Sequence, residues 1–333
     1  MRARPLSADG LVAALRAAGE PTRLRILALL REGELSVKDF TAILGQSQPR
    51  ISRHLKLLAE AGLISRYPEG AFVRYRLAED DRAGAFGRAL VAAADPHDAE
   101  LAADRGKLSA LREEQADEAA RYFAANADTW NTIRSLHAAD AAVEAAMRAA
   151  VADRRIEAML DVGTGTGRLL ELFAPLVQRA VGVDSSPAML AVARAAIQRA
   201  GLSHVQVRQG DLYNLALPAH SFDLVTIHQV LHFLDRPEVA VAEAARMVRR
   251  GGRLIVVDFA PHALEFLREE HAHRRLGFDH DSVGRWLAAA GLRVDAVTDL
   301  PAEAPGDKLT VTLWLARDPH VEVAALASAA VSR

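Results

Sequence analysis

The stretch AMLDVGTGTGRLLEL, residues 158–172, decides how the chain is read. An apolar run ends on Asp161, glycines follow at 163, 165 and 167, and apolar residues resume at Leu169. That order predicts a buried strand, a glycine turn and a helix start, the pattern of a loop whose backbone approaches a ligand closely. The helix starting near Gly167 would turn its first N–H groups toward that ligand. The spacing is G-x-G-x-G. A dinucleotide fingerprint needs its third glycine one place later, where Arg168 stands. Asp161 also puts a negative charge just before the loop, which would repel a pyrophosphate but suits an ammonium or sulfonium group.

Working toward the C-terminus, strand-like segments alternate with helix-like ones: EAMLDV, RAVGVD, VQVRQGD, FDLVTIHQ and RLIVVDF. LRVDAV and KLTVTLWLA follow a helix near 281–290 and bring the total to seven. This alternation predicts a parallel sheet covered on both faces, with ligands at the carboxyl ends of its strands. Asp184, ending the strand in VGVDSSPAML, stands where two ribose hydroxyls could donate to it. Asp211, in RQGDLYNLAL, ends the next strand, and its neighbourhood could read an adenine amine. Three acidic strand ends in succession point to a sulfonium nucleoside.

These residues resemble class I S-adenosylmethionine (SAM)-dependent methyltransferases, of the type 11 and UbiE-like groups, over residues 120–317. The resemblance implies that Asp161, Gly163, Thr164, Gly165 and Gly167 surround the methionine part of the cofactor. It implies Asp184 on the ribose with Ser185 and Met189 beside it, Asp211 and Leu212 bordering the adenine, and His228 lining the floor. VRRGGRL departs slightly from the Pro-Gly-Gly turn common before the fifth strand.

Toward the N-terminus, residues 9–18 and 21–31 read as helices broken at Gly19 and Pro21, and LSVKDFTAIL (35–44) reads as a third with Ser36 as N-cap. Gly45 can end that helix, Ser47 can cap the next, and Pro49 sits inside its first turn. The helix over 48–61 places Ile51, Leu55, Leu58 and Ala59 on one face. Gln48, Arg50, Ser52, Arg53 and Lys56 lie largely on the other, offering the groups that reach base edges and phosphates. LISRY and FVRYRL flank the turn PEG and predict a hairpin wing with Arg66 and Arg74 near the DNA backbone. A bland alternative is a helix pair with a solvated charged face. Turn residues, recognition-face chemistry and wing agree against it.

Residues 9–78 resemble the ArsR-type winged-helix repressors, which implies a homodimer on double-stranded operator DNA. Many such relatives sense metals through cysteines at the positions of Ser36 and Lys38. Neither residue is a soft ligand, so no metal site is expected there.

The composition is that of an ordinary globular chain of 333 residues, long enough for two domains. Residues 1–80 hold thirteen basic against nine acidic side chains, although the whole chain carries a net charge of −2. The basic front half points weakly to nucleic acid. With no cysteine, disulfides, zinc thiolates, thiol nucleophiles and arsenite methylation at a three-thiol site are excluded. No apolar run reaches membrane-spanning length and MRARPLSADG lacks a signal-peptide core, so a cytoplasmic protein is expected. The expected organisation is mixed. A winged helix-turn-helix, mainly α with a β-hairpin, occupies 1–95; a solvated helical linker 96–120; an α/β Rossmann-like seven-stranded domain 121–317; and a tail 318–333. The aromatics of YFAANADTWNTIRSL (122–136) mark the start of the second domain.

Methyl transfer needs mainly in-line placement of the acceptor, and a base only where the acceptor must lose a proton. The candidate bases are His228, His232 and His262, with His271 and His273 further along. DFAPHALEFLREEHAHRRLGF is expected as a lid or acceptor wall. Two functions are open at this stage. One is a DNA-binding transcriptional regulator whose operator affinity is modulated by SAM or S-adenosylhomocysteine (SAH). The other is an active methyltransferase of a small-molecule acceptor with an autoregulatory DNA-binding domain.

Overall fold

The computed structural model describes residues 6–69, 72–78, 82–95, 97–127, 140–300 and 309–320. The glycine of the PEG turn, the later part of the aromatic segment (128–136) and the tail beyond 320 lie outside the described residues. The chain divides into two compact units, Met1–Asp117 and Glu118–Arg333.

In the first unit, α1 (Ala8–Ala18) is capped by the Ser7 hydroxyl, and α2 (Pro21–Arg31) opens on its proline with the Glu20 side chain accepting from the Arg23 N–H. A short strand β1 (Leu35–Ser36) precedes α3 (Val37–Leu44). The helix begins directly after Ser36, the N-cap that the sequence pattern predicts. Ser36 caps it in a reciprocal box with Asp39, and Gly45 ends it at φ +63°, a left-handed conformation that glycine adopts without strain. Helix α4 (Gln48–Glu60) follows, with Pro49 in its first turn. Strands β2 (Ile64–Glu69) and β3 (Phe72–Leu77) form the antiparallel hairpin, with Ile64 opposite Leu77, and β1 adds to β3. Ile26, Leu27, Phe40, Ile51, Leu55 and Leu58 form the buried centre. Each contributes about 1.5–3 kcal/mol by leaving water.

Beyond α5 (Arg82–Ala92), α6 (Ala99–Asn126) is helical as expected, but its first half is not a solvated linker. Leu101 and Leu108 are buried, Leu111 packs against the same core, and the buried Asp104 carboxylate takes a two-pronged ion pair from Arg25 at 2.6 and 2.7 Å. Residues 101, 104, 108 and 111 recur at helical spacing and make one docking stripe. Alanine and charge on the other faces dilute that stripe in a compositional reading.

The second unit begins its described part with the end of α6. It continues through α7 (Asp140–Ala149), β4 (Ile156–Val162), α8 (Arg168–Phe173), β5 (Val177–Asp184), α9 (Pro187–Arg199) and β6 (Val205–Gln209). There follow β7 (Phe222–His228), α10 (Pro237–Met247), β8 (Val248–Phe259), α11 (Phe266–Glu270), α12 (His280–Ala289), β9 (Arg293–Leu300) and β10 (Val311–Arg317). All seven expected strands are present, in the order β6-β5-β4-β7-β8-β10-β9. The five strands from β4 to β8 are mutually parallel, whereas β10 runs antiparallel to both β8 and β9. The order reverses at β4, so its carboxyl end is the switch point where α/β sheets bind ligands. One apolar layer, with Val225, Val241 and Trp314, packs on one face of the sheet; another, with Met147, Phe173 and Val257, covers the other.

Candidate functional site

In the first unit, α4 turns Ile51, Leu55 and Leu58 inward and leaves Gln48, Arg50, Ser52, Arg53 and Lys56 exposed. Lys56 lies 3.8 Å from Glu60 one turn on, a weak surface pair that leaves the ammonium available. On the wing, Arg66 is exposed and Arg74 half-buried. Docking side and polar side are therefore separated by nearly half a helix turn, as groove entry requires. Ser36 is taken up by its own helix end. The Ser36 hydroxyl and amide both hold the Asp39 carboxylate at 2.8 Å, so these groups serve the helix cap. Among the described residues, no cluster of three metal-ligating side chains occurs.

In the second unit, the glycine loop joins β4 to α8. Gly163, Gly165 and Gly167 all have positive φ (+74°, +52°, +84°), where other residues are strained. A Cβ on Gly163 would collide with the Val230 side chain, and one on Gly167 would lie 3.2 Å from the Ala193 Cβ. The loop is thus a bare backbone cradle between β4 and the segment after β7. Helix α8 is only six residues long, so the cradle rests on the loop backbone rather than on a long helix dipole.

Asp161 is 2% exposed. Its two oxygens accept from the Thr164 and Thr226 hydroxyls, each at 2.7 Å. Thr226 comes from β7, whose register sets it directly opposite Asp161. Burial pushes the Asp161 carboxyl up to about 6, against the pull of those two hydroxyls. Asp184 closes the far side of the loop. Its oxygens accept from the Gly165 N–H and the Ser186 N–H at 2.8 Å, so one carboxylate fixes both the cradle and the start of α9. Burial raises its pKa as well.

The remaining predicted positions gather less evenly. Met189 is buried in the first turn of α9, and Ser186, not Ser185, caps that helix; Ser185 is exposed. Leu212 is core, while Asp211 is exposed and accepts from the Tyr213 N–H at 2.9 Å. His228 ends β7, half-buried. His232, 2% exposed, donates through Nδ1 to Asp258 at 2.7 Å, and His273 lies against it with ring centroids 4.2 Å apart. His262 borders the same group through Phe259, whereas His271 contacts Phe266. Sequence reasoning passed over Asp258, Gln229, Thr226 and Ser186. Asp258 was visible as one more acidic strand end, in VVDF.

The residues fit a cationic nucleoside cofactor. The cradle admits no side chain, a buried carboxylate stands at its mouth, and a second closes its other side. The fold and these two faces define a class: a winged-helix DNA-binding unit and a Rossmann-like methyltransferase unit in one chain. Residues 20–66 match the model described as bacterial regulatory protein, arsR family, and residues 160–256 match that of a methyltransferase domain. The chain thus carries an arsR-family regulatory region over residues 20–66 and a methyltransferase domain over residues 160–256. The arsenical resistance operon repressor of Escherichia coli is 54% identical over 59 residues, 17% of this chain and 50% of that one. An uncharacterized methyltransferase of Bacillus subtilis, YcgJ, is 36% identical over 104 residues, 31% of this chain and 41% of that one. The chain thus spans half or less of the length of these relatives. Among solved structures, the N-methyltransferase NodS of Bradyrhizobium japonicum in complex with SAH superposes with a TM-score of 0.43 and 20% identity, over 52% of this chain and 84% of that one. Among the described residues, no helix is long and apolar enough to cross a membrane.

Proposed function

We propose that this protein is a transcriptional regulator whose affinity for its operator changes when SAM or SAH occupies the second unit. The observation that carries the reading is the coexistence, in one chain, of an exposed recognition face on α4 and an intact glycine cradle flanked by Asp161 and Asp184. In this reading the cradle backbone holds the methionine part of the ligand, Asp161 balances its positive charge and Asp184 accepts from the ribose. Met189, Leu212 and Asp211 border the base. Arg50, Arg53 and Lys56 engage phosphates and base edges, with Arg66 and Arg74 on the flanking backbone. The protein works as a homodimer, supported by Leu11, Val12 and Leu15, which leave an apolar stripe exposed on α1.

The test uses duplexes selected from a random library by the full-length protein, titrated with and without SAM and SAH. Operator affinity is expected to shift at least fivefold with one of the two ligands, and Asp184→Ala is expected to abolish the shift. Arg53→Ala should weaken operator binding about tenfold or more. Equal affinity in all ligand states would sink the regulatory reading. The second reading, turnover on a small-molecule acceptor, is favoured by the buried His232–Asp258 pair near the cradle.

A further inference from the structure

Three features lie together at the carboxyl ends of β7 and β8. Gln229 follows β7 at φ +53°, held by its N–H to the Val257 carbonyl at 2.7 Å. Its side chain is 5% exposed, and neither amide atom has a hydrogen-bond partner among the described residues. A buried primary amide with both ends unsatisfied costs stability, and such a group calls for a ligand. Val230, the next residue, is the one that leans on the Gly163 cradle. Two residues further, His232 is pinned by Asp258. The carboxylate can only accept, so Nδ1 carries the proton and the Nε2 lone pair is the basic one. Asp258 also accepts from the Phe259 N–H at 2.8 Å.

The surroundings of this ring are aromatic. Phe233 and Phe259 lie 4.0 and 5.1 Å from it between centroids, and Phe123 meets Phe233 edge-on at 4.8 Å. Among the described residues, the titratable groups in contact with it are Asp258 from β8 and His273 from the segment between α11 and α12. The Arg275 N–H donates to the His232 carbonyl at 3.1 Å, and its guanidinium donates to the Asp235 carbonyl. His273 covers the ring, so acceptor entry requires its segment to move.

We propose that Gln229 and the His232–Asp258 pair form the acceptor subsite of the methyltransferase unit, and that the acceptor is a phenol. The proposal rests on the reading that this unit binds SAM. An imidazole is basic enough to take a proton from a phenol but not from an aliphatic alcohol, and a neutral amine needs no base. A planar ring also suits the aromatic wall. The phenol O–H proton passes to His232 Nε2 while the Gln229 N–H donates to the same oxygen. That oxygen bonds the sulfonium methyl carbon, the C–S bond breaks with its electron pair going to sulfur, and aryl methyl ether and SAH result. His232 then returns the proton to water. Asp258 is a positioning residue that holds the tautomer.

The test uses the full-length protein with methyl-labelled SAM and a series of para-substituted phenols from 4-methoxyphenol to 4-nitrophenol, the last largely ionised at pH 8. His232→Asn should lower transfer to 4-methoxyphenol about hundredfold and to 4-nitrophenol much less. Asp258→Asn should move the pH profile of kcat/KM and lower kcat more than KM rises. Gln229→Met should raise KM for every phenol while raising the Tm of the ligand-free protein, because it removes an unsatisfied buried amide. Independently of turnover, imidazole nitrogen resonances should show the Nδ1–H tautomer of His232 and a shift of Nε2 when a phenol joins the SAH complex. SAM binding by calorimetry without transfer to any phenol overturns this proposal alone. An equal loss across the series on His232→Asn overturns the base. Absence of SAM binding overturns this proposal and the cofactor reading together.

Discussion

Asp161 is a carboxylate placed where its charge is expensive. In the ligand-free protein burial lifts its carboxyl to about 6, so the folded chain holds a proton there that the unfolded chain has released. The sign follows: this group's contribution to stability is fully present below about pH 4 and is lost as pH rises through about 6. A cationic ligand reverses the preference, because only the ionised carboxylate attracts it. Affinity for SAM should therefore be level above pH 6 and fall up to about tenfold per pH unit below it. Asp161→Asn should flatten that profile and weaken binding at pH 8. Calorimetry from pH 5 to 8 checks both, and an unchanged profile in the variant would remove Asp161 from the site. The strand-end positions of Asp161 and Asp184 were legible because each is fixed by its own neighbours, a strand before it and a turn after it. Thr226 and Gln229 were not, and Asp258, visible as an acidic strand end, could not be matched to its partner. Thr226 matters only because β7 lies beside β4 in register, and Asp258 only because β8 lies beside β7. Such pairings are long-range in sequence and leave no local pattern.

Among the elements, the helices and strands that carry turn chemistry could be read directly. Ser36, Gly45 and Pro49 mark their helix ends as physical chemistry requires, and the seven strands of the second unit show their apolar runs. The two-residue β1 could not be read, since it exists by pairing with β3. Helix α6 was read as a helix but not as core, because its docking stripe contains an aspartate. Asp104 can be buried only because Arg25 meets it on two prongs, with a further contact from Arg25 to Glu100 at 2.8 Å. Removing one partner leaves a charge stranded, whereas replacing both by apolar groups does not. Arg25→Ala should cost about 3 kcal/mol. The double replacement Arg25→Met with Asp104→Leu should recover most of it. Urea unfolding of the full-length protein, followed by circular dichroism, decides the matter. A double variant as unstable as Arg25→Ala would mean that the pair orders α6 through geometry that apolar contact cannot replace.

At the scale of the whole molecule, a winged-helix unit and a methyltransferase unit share one chain, and thermodynamics restricts how ligands of the two can interact. A ligand shifts operator affinity only if it binds the DNA-competent and DNA-incompetent forms unequally. Any such coupling is reciprocal: the factor by which SAM changes operator affinity must equal the factor by which operator changes SAM affinity. A fivefold effect corresponds to about 1 kcal/mol, well within what domain rearrangements supply. SAM and SAH differ by the methyl group and the sulfonium charge, and Asp161 is the group nearest in kind to sense that charge. SAM should therefore couple to operator more strongly than SAH at pH 7.5, and Asp161→Asn should bring the two ligands' factors together. Measuring SAM and SAH affinity by calorimetry at zero and saturating operator, beside operator affinity at zero and saturating ligand, gives each factor twice. Agreement of the two values for each ligand, with a larger factor for SAM, is the expected result. Factors of one for both ligands would mean that occupancy of the second unit does not inform the first.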